Sequence, residues 1–212
     1  MSQASQTKKP NSAAAEMSQQ AMDIVINKAA TYLGVSSPKE FQKAAIAAVL
    51  SNKEVFVSYP TGSGKSLIFQ ALPIAKGFLT EQTSPLTYHV LVIQPVIALM
   101  KDQIKKLSDL GLNVVRLMHA REKDFPGKVT LEEMLSASVI LASPEAVLET
   151  YRSEMKSSSF SEKLVAVALD ESHMIAKWLV FYIHFNLFLQ LKLHVKIEFQ
   201  PRAQRVIVLQ LE

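Results

Sequence analysis

Two short segments carry residue types suited to a nucleoside triphosphate. The first is Tyr59-Pro60-Thr61-Gly62-Ser63-Gly64-Lys65-Ser66. Glycines let a backbone curl until its N–H groups converge on oxygen, and a helix N-terminus behind them adds roughly half a positive charge. In such a loop Thr61, Gly62, Ser63 and Gly64 wrap the phosphates. Lys65 brings a mobile charge to the β and γ phosphates, and the Ser66 hydroxyl reaches Mg²⁺. The strict pattern has Gly or Ala where this chain has Tyr59, but the Thr61–Ser66 core stands between a strand and a helix. The second segment is Asp170-Glu171-Ser172-His173, directly after the apolar run Leu164–Leu169. Asp170 there can hold Mg²⁺, directly or through water, and Glu171 can orient and deprotonate an attacking water. Alone, an Asp-Glu pair after a strand is better read as a solvated loop. A phosphate loop upstream in the same alternating pattern shifts that balance.

The elements that must position these groups alternate. Helical periodicity starts near Ser18 and closes at Gly34, and Pro38 opens a second helix. Strands are expected over Glu54–Tyr59, His89–Gln94, Asn113–Met118, Ser138–Ala142 and Leu164–Leu169. Helices are expected over Lys65–Phe78, Val96–Leu110, Leu131–Leu135 and Pro144–Tyr151. The best strands are continuous apolar runs, as in a parallel sheet covered on both faces. The order therefore predicts a three-layer α/β domain with a mainly parallel central sheet. In that class the chemistry gathers at the carboxyl ends of the strands.

The chain has 212 residues, 49% of them apolar, which suffices for one sizeable core. Residues 1–17 are poor in apolar side chains apart from alanine and read as a disordered tail without a secretory h-region. The net charge of +4 suits a nucleic-acid partner without demanding one. The absence of cysteine excludes a disulfide framework and thiolate metal sites. No unbroken apolar window reaches the length of a membrane span, so no membrane partner is expected.

With Asp-Glu-Ser-His as a DExH box and Thr61–Ser66 as motif I, the chain resembles superfamily 2 helicases, and RecQ-type DNA helicases in particular. Leu33–Gln42 resembles the family's motif 0, whose Gln reads adenine. Gln42 matches that Gln, and Lys39 stands where the family has Arg. Gln94–Gln103 resembles motif Ia, and Ala142-Ser143-Pro144-Glu145 resembles motif Ib. Met174–Trp178 resembles the start of the family's aromatic-rich loop. The resemblance spans Leu33–Trp178.

It implies a RecA-like, P-loop NTPase fold that binds ATP and Mg²⁺. Lys39, Gln42 and the loop 61–66 would bind nucleotide, with Ser66 and Asp170 on the metal, Glu171 as base and His173 coupling nucleotide state to partner motifs. Motifs Ia and Ib and the aromatic-rich loop would meet single-stranded or forked DNA, through Pro95, Lys101, Gln103, Ser143 and Trp178. Lys105 and Lys106 read as a solvated helix face. The same resemblance implies 3′ to 5′ unwinding, a place in DNA repair and recombination, and a nuclear location.

After Trp178 the likeness to RecQ motifs ends. Every odd position from Phe181 to Phe199 is apolar, a strong period-2 pattern. As one strand it would run roughly 65 Å, too long for this sheet. Residues 179–212 are therefore expected to be a non-family segment, such as the product of a retained intron or truncated gene model, with the family's second RecA-like domain absent. Three other readings stay open. They are a nucleotide- and nucleic-acid-binding fragment without unwinding activity, a superfamily 2 RNA helicase, and a P-loop kinase or unrelated ATPase. The last explains the loop but not motifs 0 and Ia.

Overall fold

The computed structural model describes residues 12–82, 86–94, 96–170 and 206–210. Two helices open the chain, α1 (Ser12–Tyr32) and α2 (Glu40–Leu50). There follow β1 (Val55–Ser58), α3 (Ser66–Leu79), β2 (His89–Ile93), α4 (Ile97–Asp109), β3 (Val114–Leu117), α5 (Leu131–Ser136) and β4 (Val139–Ala142). After β4 come a π-helical turn (Ala146–Thr150), α6 (Arg152–Met155), α7 (Ser158–Lys163), β5 (Leu164–Leu169) and β6 (Val206–Gln210). The strands form one parallel sheet in the order β1-β6-β5-β2-β4-β3.

Both faces of the sheet are covered, which makes the domain a three-layer α/β fold. On one face Val90, Val92, Val139, Leu141, Ala166 and Ala168 pack under α1 to α4. On the other, Leu91, Ile93, Ile140, Ala142, Val167 and Leu169 pack under α5 to α7. That two-sided burial is why these strands read as unbroken apolar runs. The β2–β5 register shifts between His89 and Val90, so that Leu164 pairs His89 while Ala166 pairs Val90. Val165 is the extra residue of this bulge, and beyond it alternation resumes. Leu169 thus faces α5–α7, and the next residue, Asp170, turns toward α3 and α4.

Three local features differ from the sequence expectation. First, α1 begins at Ser12, so part of the segment expected to be a disordered tail is helical. Ser12-Ala13-Ala14-Ala15-Glu16 is rich in alanine, the strongest helix former, and simply extends the amphipathic helix behind it. Second, the helix expected over Pro144–Tyr151 is a π turn followed by a short α-helix. The wider turn, closed by the Tyr151 amide on the Ala146 carbonyl (2.9 Å), buries the Tyr151 ring completely. The Tyr151 hydroxyl then accepts from the Val129 amide at 3.0 Å. Third, β6 lies inside the segment expected to stand apart and is hydrogen-bonded on both sides, to β1 and β5. The alternating stretch 181–199 and the first residues, 1–11, lie outside the described residues. Among the described residues no helix is long and apolar enough to cross a membrane.

Candidate nucleotide and metal site

The loop after β1 curls through two left-handed glycines, Gly62 (φ +77°) and Gly64 (φ +90°). A Cβ on Gly64 would sit 2.7 Å from Gln42 Nε2, so any larger residue must displace that amide as well as strain the backbone. The N-terminal end of α2 clamps this loop from behind. Gln42 Nε2 donates to the Gly64 carbonyl at 2.7 Å, and Lys39 Nζ donates to the Ser63 carbonyl at 2.9 Å. The Phe41 ring stacks on Tyr59 with centroids 3.9 Å apart and planes 16° from parallel. Tyr59, the departure from the strict loop pattern, is therefore a second tie between loop and helix.

Gln42 is buried and both ends of its amide are engaged, because Oε1 also accepts from the Lys39 amide at 2.7 Å. Each end retains capacity for one further hydrogen bond. In this structure Gln42 and Lys39, expected as nucleotide contacts, hold the loop. The Lys65 ammonium lies over the start of the loop and donates to the carbonyls of Tyr59 and Pro60, the latter at 2.9 Å. Thr61 and Gly62 are exposed at the loop tip, while Ser66 opens α3 and is half-buried.

Asp170 follows β5, and its amide continues the ladder to the Ile93 carbonyl at 3.0 Å. Its carboxylate receives two side-chain amides on one oxygen. Gln94 Nε2 donates to Asp170 Oδ2 at 3.0 Å, and Gln103 Nε2 donates to the same atom at 3.3 Å. Gln94 follows β2, the neighbour of β5, and like Asp170 it comes directly after a residue buried under α5–α7. The two side chains therefore emerge side by side on the opposite face.

The register places Leu169 level with Val208, and Val208 level with Phe56. The carboxyl ends of β1 and β5 are thus two strand spacings apart, about 10 Å. Both open on the same edge and the same face of the sheet. This is the distance a triphosphate with its metal has to bridge. The oxygen donors there, the Ser66 hydroxyl and the Asp170 carboxylate, are of the hard type that Mg²⁺ prefers. Ser63 Oγ, Gln94 Oε1 and Gln103 Oε1 are buried without a hydrogen-bond partner. Such acceptors suit an ion's water shell, so the residues fit the group.

The expected nucleic-acid contacts separate. Lys101 is exposed on α4. Gln103, expected on the nucleic-acid face, instead points inward to Asp170. Ser143 is buried and its hydroxyl accepts from the Ala146 amide at 3.2 Å, capping the π turn. Pro95, Glu171, His173 and Trp178 lie outside the described residues. Gln94 is the residue that sequence reasoning passed over. Its one signal was a buried polar side chain at the carboxyl end of the strand beside the acid.

Residues 39–209 match the family model for DEAD/DEAH box helicase, a span that runs past Trp178. "ATP-dependent DNA helicase Q1" of Rattus norvegicus is 29% identical over 145 residues, covering 66% of this chain and 22% of the relative. "Probable ATP-dependent DNA helicase RecS" of Bacillus subtilis is 30% identical over 148 residues, covering 69% and 27%. The chain thus spans about a quarter of the length of these RecQ-family relatives. Among solved structures, the DUF1998 helicase MrfA bound to DNA and AMPPNP superposes with a TM-score of 0.63 at 17% identity, over 90% of this chain and 26% of that one. That similarity supports the fold.

Proposed function

The chain belongs to the DEAD/DEAH box helicase family, and on that premise we propose that it is the nucleotide-binding motor domain of a 3′ to 5′ DNA helicase of RecQ type. The observation that carries the proposal is the common edge. The phosphate loop after β1 and Asp170 after β5 open on one face, with β6 between them. In this reading the amides of residues 62–66 and the Lys65 ammonium hold the triphosphate. Lys65 exchanges the Tyr59 and Pro60 carbonyls for phosphate oxygens. Ser66 and Asp170 would hold Mg²⁺, which would supply positive charge to offset that of the triphosphate. Glu171 takes the proton of the attacking water, and His173 reports nucleotide state to neighbouring motifs. Gln94 orients the Asp170 carboxylate. Lys101, with Pro95 and Trp178, belongs to the track for single-stranded or forked DNA, while Ser143, buried under the π turn, does not. A nuclear role in repair and recombination completes the proposal for a eukaryotic source; a bacterial relative indicates that the motor itself does not need a nucleus.

The narrow coverage of the relatives favours a more limited role for these 212 residues by themselves. On this second reading they bind Mg-ATP and nucleic acid without unwinding a duplex. The deciding experiment is thermal denaturation with and without Mg-ATP. Nucleotide at a hundredfold over its dissociation constant stabilises by about 2.7 kcal/mol. The expected result is a higher melting temperature that Lys65→Ala eliminates. A folded wild-type chain with no shift refutes the site. Stimulation of ATP hydrolysis by RNA in preference to DNA would move the assignment to an RNA helicase.

A further inference from the structure

Helix α4 has two faces with different duties. Met100 and Leu107 are buried against the sheet. Gln103 lies between them on the same stripe, three residues after one and four before the other. Its amide reaches Asp170 Oδ2 at 3.3 Å. Lys101 and Lys105, one turn apart, are exposed on the other side. One rigid rod of about 20 Å therefore presents lysines to solvent and a single amide to the carboxylate assigned to Mg²⁺. The contact is at the long end for an N–H···O bond, so a helix shift of a few tenths of an ångström tightens or breaks it. Gln94 holds the same oxygen from the sheet at 3.0 Å and does not depend on α4.

We propose that Gln103 is a positioning residue that couples nucleic-acid binding on the outer face of α4 to the Asp170 carboxylate on its inner face. This rests on the nucleotide-site reading above. Single-stranded DNA seated on the lysine face moves α4 as a unit, and Gln103 transfers that movement to the orientation of Asp170. Linkage requires the converse as well: Mg-nucleotide at Asp170 changes DNA affinity by the same factor. Removing the Gln103 amide uncouples the two sites. Removing the Gln94 amide weakens nucleotide binding and leaves the coupling in place.

The test uses the whole chain, a fluorescent single-stranded oligothymidylate and a non-hydrolysable ATP analogue with Mg²⁺. Anisotropy gives the DNA dissociation constant with and without Mg-nucleotide. The wild-type ratio is expected to be about tenfold, within the usual range for coupled sites. Gln103→Met, of similar volume, and Gln103→Glu, which cannot donate to Asp170, should each bring the ratio to near one. Gln94→Met should keep it. A ratio of one in the wild type overturns the proposal, as does an unchanged ratio in both Gln103 variants. The two glutamine variants failing alike also overturns it, since a general loosening of Asp170 would then explain both. Failure of the parent reading is seen separately, as absence of a Mg-nucleotide thermal shift without DNA.

Discussion

Gly64→Ala tests whether α2 sets the shape of the phosphate loop. Two effects add. Alanine at φ +90° costs about 1–2 kcal/mol in backbone strain. Its Cβ would also lie 2.7 Å from Gln42 Nε2, so the amide must move and give up its bond to the Gly64 carbonyl. That loss is worth about 1 kcal/mol. The total is about 2–3 kcal/mol. Gln42→Ala removes the clashing amide beforehand, so in that background Gly64→Ala should cost only the strain. Urea denaturation of the four proteins of this cycle gives a coupling of about 1 kcal/mol if the contact is real. Mg-ATP affinity should fall in both single variants, because each deforms the cradle. Equal costs of Gly64→Ala in the two backgrounds would refute the clamp, leaving Gln42 as a bystander to the loop.

Other outcomes follow from the same coordinates. His89 is buried beside Phe160, and burial, with Lys163 nearby, pulls its pKa from 6.5 down to about 4. The unfolded chain therefore takes up a proton first; this contribution is full above pH 6.5 and is lost as pH falls toward 4, by about 1.4 kcal/mol per unit. His89→Leu should flatten that part of the stability–pH curve, and an unchanged slope would count against a buried neutral imidazole. Thr130 and Glu133 form a reciprocal cap on α5, with the Thr130 amide 2.7 Å from the Glu133 carboxylate and the Glu133 amide 3.2 Å from the Thr130 hydroxyl. Thr130→Ala should cost about 1 kcal/mol in a denaturant melt, and a neutral result would mean the cap is not formed in solution. The 212-residue chain should bind forked DNA without separating it in a strand-displacement assay, and robust unwinding would refute its reading as a binding segment without unwinding activity.

Sequence alone determined the parts that depend on local chemistry and chain order. Thr61–Ser66 needs its glycines and lysine wherever it sits, and Leu164–Leu169 is apolar throughout because both its faces are covered. The alternation of strands and helices followed from those runs, and so did the edge on which the acid appears. What it did not disclose are features set by partners distant in the chain. The short helix α7 has too few turns to show a period, and its start rests on Ser157 accepting from the Phe160 amide at 3.1 Å. The π turn exists to bury Tyr151 against Val129, a contact across 22 residues. In the sequence Gln103 reads as a nucleic-acid contact on a helix beside lysines. Only the bulge at Val165, which directs Asp170 toward α4, makes it a ligand of that carboxylate 67 positions away. Residue type and spacing specify which groups can do chemistry. Which face each one meets depends on strand register, and a single inserted residue reverses it.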